Sequence, residues 1–156
     1  MRALTATFVF VLGFSLFVCA QEEALRNRPG LSLRETFDLY IDCIDATDLE
    51  GMMSTVTESP EFVFLTTSGR IIDSVEGYRQ FHVEWFAETG WEITFEILAV
   101  HEGTDLGFFL SRYHYEWQTP DGEPYSSDSY FTLIFHREDG MWEAIQDQIT
   151  PIRTGQ

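Results

Sequence analysis

Asp147 is the side chain whose type and position most suggest chemistry. It stands in the alternating stretch Ala144-Ile145-Gln146-Asp147-Gln148-Ile149. If that stretch is a strand, Asp147 shares a sheet face with residues two positions away on either side. The neighbouring strands then give this face Phe109, Ser111, Tyr113, Tyr115, Trp117, Phe131, Leu133 and Phe135, with Ile145 and Ile149 beside the acid. A carboxyl desolvated in such company titrates above its ordinary value and suits a general acid or base. Tyr113 is the candidate hydrogen-bond donor to accompany it, because a phenol can hold a ligand oxygen or a developing oxyanion. Tyr40, Phe81, Trp85, Tyr115, Trp117 and Phe131 are the candidate ligand-binding lining. The plainer reading places Asp147 at a sheet rim, bonded to a tyrosine or to water, with the aromatics as ordinary core.

A second constellation falls on the opposite sheet face. Pairing Thr119 with Glu123 sets His114 opposite Asp128, with Arg112 two residues along. An Asp–His pair can do acid–base work, and it can equally decorate an exposed face or an interface between subunits. Metal chemistry finds no support. His82, His101, His114 and His136 show no paired metal-ligand spacing, and no cofactor motif is present. Glycine-rich phosphate loops and a G-x-S-x-G nucleophile are also missing. Cys43 sits among apolar helical positions and reads as core.

The elements that must position these residues follow from periodicity. Ser32-Leu33-Arg34-Glu35 has the form of a capping box. Leu33, Phe37, Tyr40, Ile41 and Ile44 follow at helical spacing. Thr47-Asp48-Leu49-Glu50 repeats the signature and predicts a short second helix. Residues 62–66 and 70–72 read as a strand pair around Thr67-Ser68-Gly69. Asp73 or Ser74 caps a third helix with Val75, Tyr78, Phe81, Trp85 and Phe86 on its apolar face, ended by Gly90. From Trp91 the period changes to two. Three further strands follow, over 106–119, 125–136 and 141–150, joined by turns at 119–122 and 138–140. Pairing Arg137 with Met141 sets the last hairpin. A bulge near Ala144 would leave Asp147 on its face and bring Trp142 onto it. Helices followed by a long meander predict an α+β fold, a curved antiparallel sheet packed on three helices.

The ends and the composition bound the setting. Met1-Arg2, an apolar run to Val18, and Val18-Cys19-Ala20 have the layout of a signal peptide over residues 1–20. A retained anchor and a lipid-modified Cys19 are the alternatives. A polar lead-in spans 21–30, and residues 31–152 form the domain. Cys43 is then the sole remaining thiol, which favours a bacterial periplasm or the extracellular medium. The net charge is −17, with nine arginines and no lysine. Such a chain repels phosphate backbones and anionic lipid, so nucleic acid and membranes are poor partners once the leader is gone.

The order of elements, the Ser74-Val75-Glu76-Gly77-Tyr78 helix opening and the closing stretch from Asp139 to Thr150 resemble SnoaL-like domains of the nuclear transport factor 2-like (NTF2-like) superfamily. Many of these end in W-x-x-x-x-D-H-x-S, often with a further His before the Asp. Here Trp142 and Asp147 match, while Gln146, Gln148 and Thr150 replace two histidines and the serine. The resemblance implies a cone-shaped fold with an apolar pocket, and homodimers formed through the outer sheet face. It leaves two functions open. One is an exported binding protein for a small apolar molecule. The other is a cofactor-independent acid–base enzyme of isomerase, hydrolase or cyclase type, using Asp147.

Overall fold

The computed structural model describes residues 30–119 and 121–153. The expected leader, and the lead-in apart from Gly30, lie outside the described residues. Helix α1 (Leu33–Asp45) opens on the expected capping box: the Ser32 Oγ accepts from the Glu35 N–H at 3.3 Å, and the Glu35 carboxylate accepts from the Ser32 N–H at 2.8 Å. Helix α2 (Leu49–Met53) is capped one residue later than the sequence signature suggests. Thr47 takes φ +52, and Asp48 accepts from the Gly51 N–H at 3.0 Å. Ser74, not Asp73, caps helix α3 (Val75–Phe86), which stops short of Gly90.

Six strands form one sheet. Strands β1 (Val63–Leu65) and β2 (Ile71–Ile72) are shorter than expected. Four long strands follow: β3 (Trp91–Glu102), β4 (Leu106–Gln118), β5 (Pro124–Glu138) and β6 (Met141–Pro151). Their order is β2-β1-β6-β5-β4-β3, with β1 parallel to β6 and every other pair antiparallel. The α+β architecture expected from the period change is the one observed.

Register decides which side chains reach the interior. Thr119 and Glu123 pair as expected, the Thr119 N–H donating to the Glu123 carbonyl at 3.0 Å. The last hairpin differs. Glu138, not Arg137, pairs with Met141, because Asp139 and Gly140 both adopt positive φ, +50 and +85. That is the signature of a tight two-residue turn. Left alone, the one-residue difference would carry Asp147 to the outer face. A bulge restores the phase: Phe135 pairs with Ala144 and Ile134 with Gln146, leaving Ile145 unpaired. Trp142 and Ala144 are therefore buried together with Asp147, and Ile145 leaves the inner face where it was expected. A second bulge at Leu98 on β3 ends the inward series at Ile97 and leaves Ala99 exposed.

The helices cover one sheet face. Phe37 of α1 stacks on Phe109 with ring centroids 3.9 Å apart. Leu33 presses on Gly107 so closely that a β-carbon there would lie 2.4 Å from a Leu33 methyl. That contact seals one end of the layer. At the other end Trp85 stacks on Trp91 at 4.8 Å, and part of the space between the helices and the sheet is left unfilled.

Candidate functional site

The gap is a cavity of about 360 Å³, within the range that accepts a small organic ligand. Its walls are mostly aromatic: Phe64, Phe81, Trp85, Phe95, Tyr113, Tyr115 and Phe131 all contribute. Two ionisable groups lie deep in it, Asp147 and His82, each only 2% exposed.

Asp147 is held on one side only. Its Oδ2 accepts from the Tyr78 hydroxyl at 2.7 Å and lies 3.1 Å from the Tyr40 hydroxyl. The two hydroxyls are 2.5 Å apart. With an ionised carboxylate these three oxygens share two protons, so the shorter contacts form a relay in which Tyr40 donates to Tyr78 and Tyr78 to Asp147. The other oxygen, Oδ1, is buried with no hydrogen-bond partner among the described residues, and Asp147 is one of the residues lining the cavity. Burial pushes the Asp147 carboxyl up to about 7, and the two tyrosine hydrogen bonds only partly oppose this. The phenols of Tyr40 and Tyr78 are pushed well above their ordinary value, first by burial and then by the nearby carboxylate. They stay protonated and can only serve as neutral hydrogen-bonding groups.

His82 is one helical turn beyond Tyr78, and its Nδ1 lies 3.0 Å from the Tyr78 carbonyl. A carbonyl only accepts, so Nδ1 carries the proton and Nε2 is left as an acceptor. Burial pushes the imidazole down to about 4, and it is therefore neutral near pH 7. Tyr113 also lines the cavity, and burial raises its phenol to about 12, eased by Ser129 across the strand pair. It donates nothing to Asp147. The phenol that does is Tyr78, expected only as core, with Tyr40, expected only as lining, behind it in the relay.

Of the other expected lining residues, Phe81, Trp85, Tyr115 and Phe131 face the cavity, and Trp117 does not. Trp117 is too near the end of β4: its indole N–H donates to the Thr89 carbonyl at 3.3 Å, outside the cavity. Tyr78 was legible only as a member of a helical stripe, and His82 only as a histidine without metal-ligand spacing. The available signal was their spacing of four, which puts both on one helix face with Phe81 and Trp85.

The second constellation assembles on the opposite face. His114 Nδ1 is 3.1 Å from Asp128, Nε2 is 3.2 Å from Glu116, and Arg112 reaches Asp128 at 3.2 Å. Glu116 and then Asp128 hold the imidazole above its ordinary value, while Arg112 and then His114 hold the Asp128 carboxyl below its own. Both ring nitrogens face carboxylates, and none of these residues lines the aromatic cavity, so the cluster offers no free base to a ligand bound there. Among the described residues no group of three or more His, Cys, Asp or Glu is arranged to hold a metal ion, and no helix is long and apolar enough to cross a membrane.

Comparison with known proteins places this geometry in context. The sequence profile of the SnoaL-like domain matches residues 33–152. No curated protein sequence matches the chain. A nuclear transport factor 2 (NTF2-like) superfamily protein from Salmonella enterica serovar Typhimurium superposes with a TM-score of 0.65 at 16% identity, covering 85% of this chain and 95% of that one. A ketosteroid isomerase-like protein from Erwinia carotovora gives 0.65 at 12% identity, over 78% and 94%. The association domain of C. elegans CaMKII gives 0.59 at 16% identity, over 84% and 95%. At these identities the likeness establishes the fold alone.

Proposed function

Given that the chain belongs to the SnoaL-like domain family, of the NTF2-like superfamily, we propose that it binds a small, largely apolar molecule in the cavity. A carbonyl or hydroxyl of that molecule is held at Asp147. The observation that carries this reading is Asp147, a cavity-lining residue whose buried Oδ1 has no hydrogen-bond partner among the described residues. An unsatisfied buried polar atom is costly unless a ligand or water completes it.

Acid–base catalysis without a cofactor is the second reading, and the specific support for it is the carboxyl's rise to about 7. Near neutral pH both protonation states are then populated, which suits a group that takes and returns a proton. Ionised Asp147 would accept a proton from the ligand at Oδ1, with Tyr78 holding Oδ2 in place, and Tyr113 would be the phenol available to a developing oxyanion. The Erwinia carotovora protein that shares this fold is ketosteroid isomerase-like, which favours isomerisation among the possible reactions. For this chain the reaction class extends to isomerase, hydrolase or cyclase chemistry.

The wider setting is part of the proposal. The sequence of residues 1–20 supports export, and the mixed polar side of β4 and β5 supports homodimers formed through the outer sheet face. The net charge of −17 argues against nucleic acid and anionic membranes as partners.

The test is a carboxyl-carbon NMR titration of Asp147 in the full chain, with Asp147→Asn as the assignment control. A midpoint near 7 that moves on addition of small aryl ketones supports the reading. A midpoint near the unperturbed ~3.9 would describe a solvated acid and remove both readings.

A further inference from the structure

The cavity's second charge lies at its mouth, and it is positive. The exposed lining residues are Thr67, Ser68, Arg70, Tyr125 and Pro151, from the β1–β2 turn, the start of β5 and the end of β6. Arg70 is the sole Lys or Arg among the residues lining this cavity.

Its position follows from the local backbone. The Thr66 N–H donates to the Arg70 carbonyl at 3.0 Å, the Arg70 N–H to Thr66 Oγ1 at 3.1 Å, and the Gly69 N–H to the Thr66 carbonyl at 2.9 Å. Gly69 takes φ +80, which a closed turn of this kind needs. The turn leads into β2, where Ile71 is 64% exposed and Ile72 only 5%. Arg70 immediately precedes β2, and the closed turn sets it among the residues lining the cavity.

Four other arginines make the contrast. Arg34 pairs with Asp38, Arg79 with Glu50, Arg112 with Asp128, and Arg137 lies over the Trp142 ring, while Arg153 stands exposed near the C-terminus, away from the cavity lining. Arg70 has no carboxylate partner among the described residues, in a chain with 26 acidic residues. The Thr66 hydroxyl donates to the Arg70 carbonyl at 3.2 Å, so Ser68 Oγ, 3.0 Å away, donates to Thr66 Oγ1 and braces the same turn.

Resting on the cavity reading above, we propose that Arg70 is an anion-binding and specificity-determining residue, and that the ligand is an apolar carboxylic acid with a neutral carbonyl or hydroxyl at its far end. The planar guanidinium accepts a carboxylate through two parallel hydrogen bonds. The aromatic walls take the apolar body, and the neutral oxygen meets Asp147. Orientation is fixed by charge, because an ionised ligand head is repelled from Asp147 and attracted to Arg70. The overall negative charge does not override this: beyond about 8 Å, charges are largely screened at physiological ionic strength.

The experiment compares benzoylpropionic acid and benzoylbutyric acid with their methyl esters. Binding to the full chain is read by tryptophan fluorescence, to which the cavity-lining Trp85 contributes, and located by the methyl NMR signals of Ile44, Ile93 and Ile149, which line the cavity. The acids should bind roughly tenfold or more tightly than the esters. Arg70→Gln should bring the acids to the level of the esters and leave the esters unchanged, while Arg70→Lys should keep part of the preference. An acid preference that survives Arg70→Gln, or tighter binding of the esters by the unaltered chain, overturns the Arg70 assignment. If the esters still shift the cavity methyls and respond to Asp147→Asn, the cavity reading survives that failure. If neither acids nor esters shift those methyls, the cavity reading fails and Arg70's role fails with it.

Discussion

The two faces of this sheet carry the same kinds of side chain under opposite electrostatic rules. Inside, Asp147 is pushed up to about 7 and His82 down to about 4, each chiefly by burial. Outside, Asp128 is held below its ordinary value by Arg112, and His114 above its own by Glu116. Inside, the neutral form of each group is favoured; outside, the charged form is. Where water is absent and no opposite charge is at hand, desolvation decides the protonation state. Where water is present, partners decide it, and their energy is small. A base with an unused lone pair and a titration near neutrality is therefore to be sought on the inner face.

The comparison is broken most forcefully at Asp147. Its folded value lies above its unfolded one, so its contribution to stability is fully present below about pH 4 and is lost as pH rises to about 7. Asp147→Asn should remove a loss on the order of 4 kcal/mol, at about 1.4 kcal/mol per pH unit of displacement. Urea unfolding midpoints of the variant should match those of the unaltered chain at low pH and exceed them above neutrality. A difference independent of pH would mean that the carboxyl is not desolvated.

His82 gives the next effect, with the opposite sign. Its folded value is depressed, so its contribution is present above the ordinary value of 6.5 and is lost as pH falls to about 4. The full loss is about 3 kcal/mol. Over most of this window the two slopes oppose each other, and the unaltered chain should change little in stability. His82→Phe should uncover the falling slope of Asp147, and Asp147→Asn the rising slope of His82. Parallel urea series at several pH values check both.

Tyr78→Phe removes the shorter hydrogen bond to Asp147 Oδ2. Above about pH 8, where the acceptor is charged, it should cost about 2 kcal/mol, and less in acid. It should also move the Asp147 titration further up, which the carboxyl NMR signal reads directly.

The smallest effect belongs to the outer face. His114→Asn should lower stability only below the pH at which the imidazole loses its proton, since a raised histidine stabilises when charged. That loss should vanish near 1 M salt, where the screening length is about 3 Å. Persistence in salt would make the outer cluster more than a solvated pair of bridges.

Much of this was legible in the sequence, for reasons that differ by element. Capping residues and the switch from a helical to a two-residue period located α1, α3 and the four long strands, because both depend on local chemistry. Asp147 was placed on the inner face although the hairpin frame was off by one residue, since the bulge at Ile145 compensated for it. The roles of Tyr78 and His82 were not legible. Helical spacing shows that they face inward, and it does not show which strand residue they meet. The Tyr78–Asp147 contact spans 69 residues and exists only once α3 has docked. Trp117 failed for a related reason, as alternation gives a face but not how far along the strand a cavity extends.

Ile145 has a genetic consequence. The last strand holds one residue more than its partner there, so loss of that single codon would leave Trp142, Ala144, Asp147 and Ile149 on the faces they now occupy. Only the bend would go, because an unpaired residue is what turns a strand. Such a deletion would keep the chemical inventory of the cavity while flattening its wall. Loss of Gln148 would instead leave the bulge in place and send Ile149 to the other side of the sheet. Neighbouring codons of one strand thus differ sharply in what their removal would do.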